Sequence, residues 1–382
     1  MGLTPIYLTE FQTINTDEPS LHPFTEYIMK VLPRVLFVLK YRHSYTYGDY
    51  SVGLQSGLLN SATYVSQMLK ERHYDSHVVE VTDNNSIDKF VTQYRPDVCI
   101  LEALWCVPEK LEVLKKLHPN VKWVIRLHSE IPFLANEGIA IDWINRYLKY
   151  DNVYIGFNSH KTLEEMKNYF KAMPIRHEHR LIYLPNYYPV SNTPIVPKPI
   201  HHNTIHVGLF GALRPLKGQL LQAFSAIEYA RKNRFKLKLY INATRRDGAY
   251  MDPILDNLRA LFNNLDSNYE LVEVDWLDCH DFLKLMRKMD VSLSVSLSET
   301  FCIVAADAVS EGVPVVVSDE IDWVPKEFQA DMSSVESIVK TIGAARNNHK
   351  KWFPINTRHK LEKLVKENAE VWAHELFHLV TL

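Results

Sequence analysis

Several signatures are missing from this chain, and each absence removes a class of function. Four cysteines in 382 residues (Cys99, Cys106, Cys279 and Cys302) lie without CxxC spacing, which points to reduced thiols in a cytosolic interior rather than a disulfide framework. No GxxxxGK[ST] stretch occurs, which disfavours a P-loop ATPase. No apolar run approaches the length of a membrane span. The N-terminus has no basic region leading into an apolar one, so no signal peptide is expected, and its Met-Gly start lacks the Ser or Thr that myristoylation requires at position six. Neither sign of charge dominates: 43 basic against 45 acidic residues leave a net −2, so no whole-protein field advertises nucleic acid or membrane. The histidines of "RHEHR" (176–180) and "HH" (201–202) fall in polar connectors without a complete ligand set, which argues against a structural zinc site. The expectation is a cytoplasmic protein without integral membrane association.

What is present is a regular alternation. Short apolar runs rich in branched residues occupy 34–40, 77–81, 97–103, 122–128 and 153–159, with helical or polar segments between them. Between the first two, Leu54, Leu58, Leu59, Ala62, Val65, Met68 and Leu69 recur at helical spacing. This pattern predicts an α/β fold with parallel strands and crossover helices. The texture changes at "PVSNTPIVPKPIHHN" (189–203), where four prolines cannot continue a sheet and mark a linker. Alternation then restarts with runs at 205–211, 236–242, 269–274, 291–296 and 313–318 and a helix from about Gly218 to Arg234. Two Rossmann-like domains facing a central cleft follow from this, with ligands expected at the carboxyl ends of the strands. The expected boundaries are an N-terminal extension (1–30), a first domain (31–190), a linker (191–203), a second domain (204–355) and a C-terminal helix (356–382). That helix carries Leu361, Leu364, Val365, Ala369, Trp372, Leu376 and Leu379 on one face. It either packs on its own domain or crosses back to brace the first.

Two segments carry candidate chemistry. In "LFGALRPLKGQ" (209–219) a strand ends at Gly211, a turn holds Arg214 and Lys217, and Gly218 opens a helix, which suits a diphosphate. In "SETFCIVAADAVSEGVPVVVSD" (298–319), Ser298 or Thr300 is expected to cap a helix from about Phe301 to Glu311, with Gly312 after its end. If Glu299 and Asp307 were both helical they would stand roughly 12 Å apart along its axis. Carboxylates accept bonds from sugar hydroxyls, and free helix N–H groups favour phosphate, so a nucleotide sugar fits this pattern. Read alone, each acid is equally an ordinary helix-dipole or surface group.

Together these motifs resemble the GT-B, retaining family 4 type of glycosyltransferases, also called glycosyl transferases group 1. That family's G-R-L-x-x-x-K-G turn is similar to "GALRPLKG", and its E-x7-E motif is similar to "ETFCIVAAD" followed by "EGVPVVVSDE". Asn186 in "YLPNYY" matches the family's I-P-N-G segment at the domain junction. Ala212 stands where the family commonly has Arg, with Arg214 two positions on, and Asp307 replaces a Glu, about 1.5 Å shorter in reach. The resemblance implies that Arg214 and Lys217 face the diphosphate, that Glu299 and the amides of Phe301, Cys302 and Ile303 hold sugar and phosphates, and that Asp307 meets the ribose. It implies His128 as a sugar contact, with Arg126 and Glu130 beside it. Gly53 would lie in a glycine loop after the first strand, and Gly211 in the phosphate turn.

The resemblance therefore implies transfer of a sugar from a nucleotide-diphosphate donor to a hydroxyl, with retention and without cofactor or metal. On the acceptor side, "KYRHSYTYGDY" (40–50) interleaves Lys40 and Arg42 with Tyr45 and Tyr47, offering cations for phosphate and rings for stacking. Three alternatives stay open: a phage-type DNA glycosyltransferase acting on a hydroxymethylated pyrimidine, a non-catalytic nucleotide-sugar-binding protein, and a nucleotide-sugar epimerase.

Overall fold

The protein is described by a computed structural model covering residues 32–41, 57–174, 177–191, 195, 203–243 and 253–381. The described residues from Pro33 onward form one compact unit. Eleven strands make two sheets among the described residues. The first sheet comprises β1 (Val35–Lys40), β2 (Ser76–Val81), β3 (Val98–Glu102), β4 (Lys122–Leu127), β5 (Val153–Phe157) and β6 (Leu181–Tyr183). The second comprises β7 (Thr204–Leu209), β8 (Lys236–Asn242), β9 (Tyr269–Val274), β10 (Val291–Ser294) and β11 (Val315–Val317).

Every pairing is parallel. Parallel sheets carry helices on both faces, so their strands read as unbroken apolar runs, and β3, β5 and β11 are buried along their whole length. The strand orders are β2-β1-β3-β4-β5-β6 and β11-β10-β7-β8-β9. Each therefore reverses direction once, between β1 and β3 and between β7 and β10, and such a reversal opens a crevice at the carboxyl ends. In the second sheet β10 pairs directly with β7. The "GALRPLKG" turn leaves β7 and the "SETFC" loop leaves β10, so the sheet topology itself brings these distant segments together.

The C-terminal helix, Thr357–Thr381, belongs to both halves. Leu361 and Val365 join the core around β7–β11, while Ala369, Trp372, Leu376 and Leu379 join the core on one face of β1 and β3. Trp372 is fully buried, its Nε1 donating to Pro185 O at 2.8 Å and its ring 5.9 Å from that of Phe37. Of the two arrangements open to this helix, crossing back is the one adopted. All four cysteines are free thiols, three of them buried. Of the proline-rich stretch, only Ser191, Ile195 and Asn203 among 191–203 lie within the described residues.

One local expectation is corrected. The helix expected from about Phe301 begins at Ile303 and runs to Ser310. Its N-cap is Cys302, in the left-handed region at φ 60°, and neither Ser298 nor Thr300 caps it. Glu299 consequently lies ahead of the helix, so the axial separation calculated for two helical acids does not apply. The helix expected from about Gly218 to Arg234 runs from Gln219 to Asn233 with Gly218 as its N-cap, after a single 3-10 turn over Pro215–Lys217. Gly218 itself is left-handed at φ 64°, and a Cβ there would lie 3.0 Å from Val295 O, so both conformation and space call for glycine.

Candidate active site

A cavity of about 350 Å³ opens between the two halves, within the range of small-molecule sites. It is lined by segments that follow the carboxyl ends of strands in both sheets, including His128 after β4, Gly211 after β7 and Glu299 after β10.

The second half supplies the charged wall. Lys217, on the 3-10 turn, forms a hydrogen-bonded ion pair with Glu299, on the loop after β10. The two motifs are thus joined by a direct contact. Arg214 lines the same wall, with its guanidinium 5.4 Å from the ring centroid of Phe133 in the first half. Ala212, where the resembled family has Arg, is buried beside them, and its carbonyl accepts from Gln219 Nε2 at 3.2 Å. Gly211 adopts φ 106° and donates its N–H to Asn242 Oδ1 at 2.9 Å, which orients the turn. Cys302 and Ile303 line the cavity where the 303–310 helix begins, and the first N–H groups of a helix have no partner within it. Burial pushes the Cys302 thiol up to about 11. Phe301 does not line the cavity; its ring stacks on Trp323 at 5.7 Å and its carbonyl accepts from Trp323 Nε1 at 2.8 Å.

Asp307 lines the cavity and is buried, accepting from Tyr188 Oη at 2.7 Å. Burial raises its carboxyl to about 7; the tyrosine bond pulls it down and Glu311 pushes it up. At neutral pH this carboxyl is therefore divided between its protonated and ionised forms.

The first half contributes His128, held in a buried polar cluster. Its Nε2 bonds the Glu102 carboxylate, and its Nδ1 lies 3.4 Å from Asn158 Nδ2. Burial lowers the imidazole below its ordinary value, with Arg126 acting in the same sense against Glu102. Burial alone would raise Glu102, but Arg126 and His128 hold it below the usual carboxylate range. A neutral imidazole protonated on Nε2 satisfies both contacts: it donates to Glu102 and accepts from Asn158.

Arg126 is fully buried and does not line the cavity. It bonds Glu102 at 3.1 Å, Asn186 Oδ1 at 2.8 Å and the carbonyls of Leu184 and Pro185. Asn186 also accepts from Ser61 Oγ at 3.0 Å, so this junction residue ties the 57–71 helix, β4 and the C-terminal helix together. Glu130 lines the cavity, accepts from Thr162 Oγ1, and is raised by burial.

Of the acceptor-side candidates, Lys40 ends β1, is exposed and does not line the cavity. Arg42, Tyr45 and Tyr47 lie outside the described residues, as does Gly53.

Sequence reasoning passed over Glu102 and Asn158. Glu102 had a signal: a single carboxylate in the otherwise apolar "VCILE" strand, which must find a cation when buried. That cation is Arg126, directly across the β3–β4 register. Asn158 reaches across the cleft to Thr300 Oγ1 at 3.0 Å and had no comparable mark.

Solved structures resemble this architecture over nearly the whole chain. A UDP-forming α,α-trehalose-phosphate synthase from Burkholderia vietnamiensis matches with a TM-score of 0.62 at 10% identity, covering 92% of this chain and 97% of its own. The fold is GT-B. Two further GT-B relatives in shape are a trehalose-6-phosphate protein from E. coli bound with UDP-2-fluoro glucose (TM-score 0.61, 10% identity, 91% of this chain and 99% of that one) and a sucrose-phosphate synthase from Thermosynechococcus elongatus (0.60, 15%, 91% and 100%). At these identities the likeness speaks for the fold alone. No protein-family model matches the chain, and no curated protein matches it by sequence. The cavity described above occupies the cleft between the two GT-B domains.

Proposed function

We propose that this protein transfers a sugar from a nucleotide-diphosphate sugar to a hydroxyl acceptor, with retention of configuration and no metal. The observation that carries the proposal is the convergence of Lys217, Arg214, Glu299, Asp307 and His128 on one cavity at the carboxyl ends of both sheets. Structural relatives crystallised with, or named for forming, UDP species support the donor class.

In this mechanism the diphosphate lies against Lys217, Arg214 and the start of the 303–310 helix. The two cations stabilise charge that grows on the departing diphosphate, an electrostatic contribution needing no reorganisation at the moment of reaction. Glu299 accepts from sugar hydroxyls, and Asp307 meets the ribose. His128, kept neutral and fixed in orientation by Glu102, contacts the sugar as it gains positive character. The nucleophile is the acceptor hydroxyl, attacking from the face the diphosphate leaves. Its oxygen bonds the anomeric carbon as the bond to the diphosphate breaks, and its proton passes to the departing phosphate oxygen, so no enzyme-linked intermediate is assigned. Bridges between the halves at the cleft, Asn158 to Thr300 and Lys161 to Glu320 at 2.9 Å, are the contacts a closed state uses to exclude water.

Incubation with a mixed panel of nucleotide sugars and candidate acceptors, including hydroxymethylated DNA, followed by mass spectrometry, tests this reading. The expected result is a glycosylated acceptor and one released nucleoside diphosphate. Binding without turnover of any donor would leave a nucleotide-sugar-binding protein instead, and acceptor-independent conversion of the donor would make it an epimerase.

A further inference from the structure

We propose that the loop spanning residues 347–356 is a docking element that seats the protein on an anionic lipid surface. At its tip stand Trp352 and Phe353, 90% and 83% exposed. Single exposed apolar residues are ordinary, but two adjacent aromatic rings this free of their own protein are not. Pro354 beside them is exposed as well. The loop is braced at its base, where Asn348 Nδ2 donates to Ile355 O at 2.8 Å and Ile355 N–H donates to Asn348 Oδ1 at 3.0 Å. The rings are therefore held out by a closed loop between two helices, Val335–Arg346 and Thr357–Thr381.

Charge selects the partner. From Arg346 to Lys360 the chain carries five Lys or Arg residues and no Asp or Glu, in a protein whose net charge is −2. Arg346 and Arg358 turn inward, to Tyr229 and to Ser191 O. Lys350 and Lys351 are exposed and immediately precede the aromatic pair, Lys351 with its Nζ 5.9 Å from the Phe328 ring centroid, and Lys360 is exposed further along, on the C-terminal helix. Tryptophan and phenylalanine partition into the headgroup boundary, and flanking lysines draw a surface toward acidic lipid; either signal alone binds weakly, and the two together suffice. A single-stranded nucleic acid would need rings backed by a groove that tracks its backbone, and rings this exposed have no such backing. A protein partner would need a broad complementary patch, whereas a projecting tip suits a deformable surface. No helix among the described residues is long and apolar enough to cross a membrane, so the contact is peripheral.

Co-sedimentation of the full chain with phosphatidylcholine vesicles, with and without phosphatidylglycerol, tests this independently of the proposed reaction. Binding is expected on the mixed vesicles, falling as salt rises. Trp352→Ser with Phe353→Ser should weaken it by about tenfold or more. Lys350→Gln with Lys351→Gln should weaken it and flatten the salt dependence. Because these side chains are exposed, all variants should keep the wild-type circular dichroism and melting curve. The proposal is overturned if wild type fails to sediment with acidic vesicles at low salt, or sediments equally with neutral ones. It is also overturned if the aromatic variant binds vesicles as wild type does, or if the loop variants instead lose oligonucleotide binding or self-association.

Discussion

Lys217 and Glu299 meet in the cavity as a half-buried ion pair, and this has a consequence for ligand affinity. A diphosphate arriving at Lys217 competes with a carboxylate already there, whereas a sugar hydroxyl welcomes that carboxylate. Glu299→Gln should therefore tighten UDP alone by about three- to tenfold, on the order of 1 kcal/mol, while lowering kcat for the intact donor. Calorimetry beside steady-state kinetics separates the two effects; weaker UDP binding in the variant would refute the competition. Asp307 gives a second residue-scale test, through pH. Its carboxyl is raised in the folded state to about 7, so between pH 4 and 7 the native protein holds a proton that the unfolded chain has released. Stability from this group is present at low pH and is lost as pH rises to about 7. Asp307→Asn keeps an acceptor for Tyr188 and removes the ionisation. It should exceed wild type in stability above pH 7 by about 1–3 kcal/mol, and that advantage should shrink toward pH 4. Urea unfolding at pH 5 and pH 8 reads the difference, and a pH-independent gap would contradict the assignment.

Among the elements, the C-terminal helix holds the two domains as one body. Trp372 is its anchor in the first domain, filling space against Phe37 and stacking near Arg126 at 5.1 Å. Trp372→Ala should cost about 3–5 kcal/mol in denaturant unfolding. The loss should also lower activity, because the Arg126 cluster that orients His128 packs against this ring. An unaltered unfolding midpoint would show that the helix does not carry the junction. Element by element, legibility in the sequence followed burial. Ten of the eleven strands were readable, most of them as apolar runs covered on both faces, although Tyr269–Val274 contains no buried residue. The exception, Leu181–Tyr183, is too short to carry a pattern, and its pairing with β5 is what makes it a strand. The start of the 303–310 helix was misplaced because Cys302 takes a left-handed conformation that residue preference does not anticipate in a non-glycine. Glu102, Arg126 and His128 were not legible as a group because their meeting depends on the β3–β4 register.

At the scale of the whole molecule, each half buries its own sheet, and the cavity exists only because the halves face one another. The positions of the "GALRPLKG" turn and the acid motif were readable from their resemblance to a family. Their direct contact through Lys217 and Glu299 follows from the strand order β11-β10-β7-β8-β9, which periodicity alone does not reveal. A nucleotide bound in the cleft stabilises the folded chain in proportion to its occupancy. The most direct test of the account is isothermal titration of UDP into wild type and into Lys217→Ala. One site per chain with micromolar affinity, weakened about tenfold or more in the variant, is the predicted result. No binding by wild type, or equal binding by the variant, would contradict it.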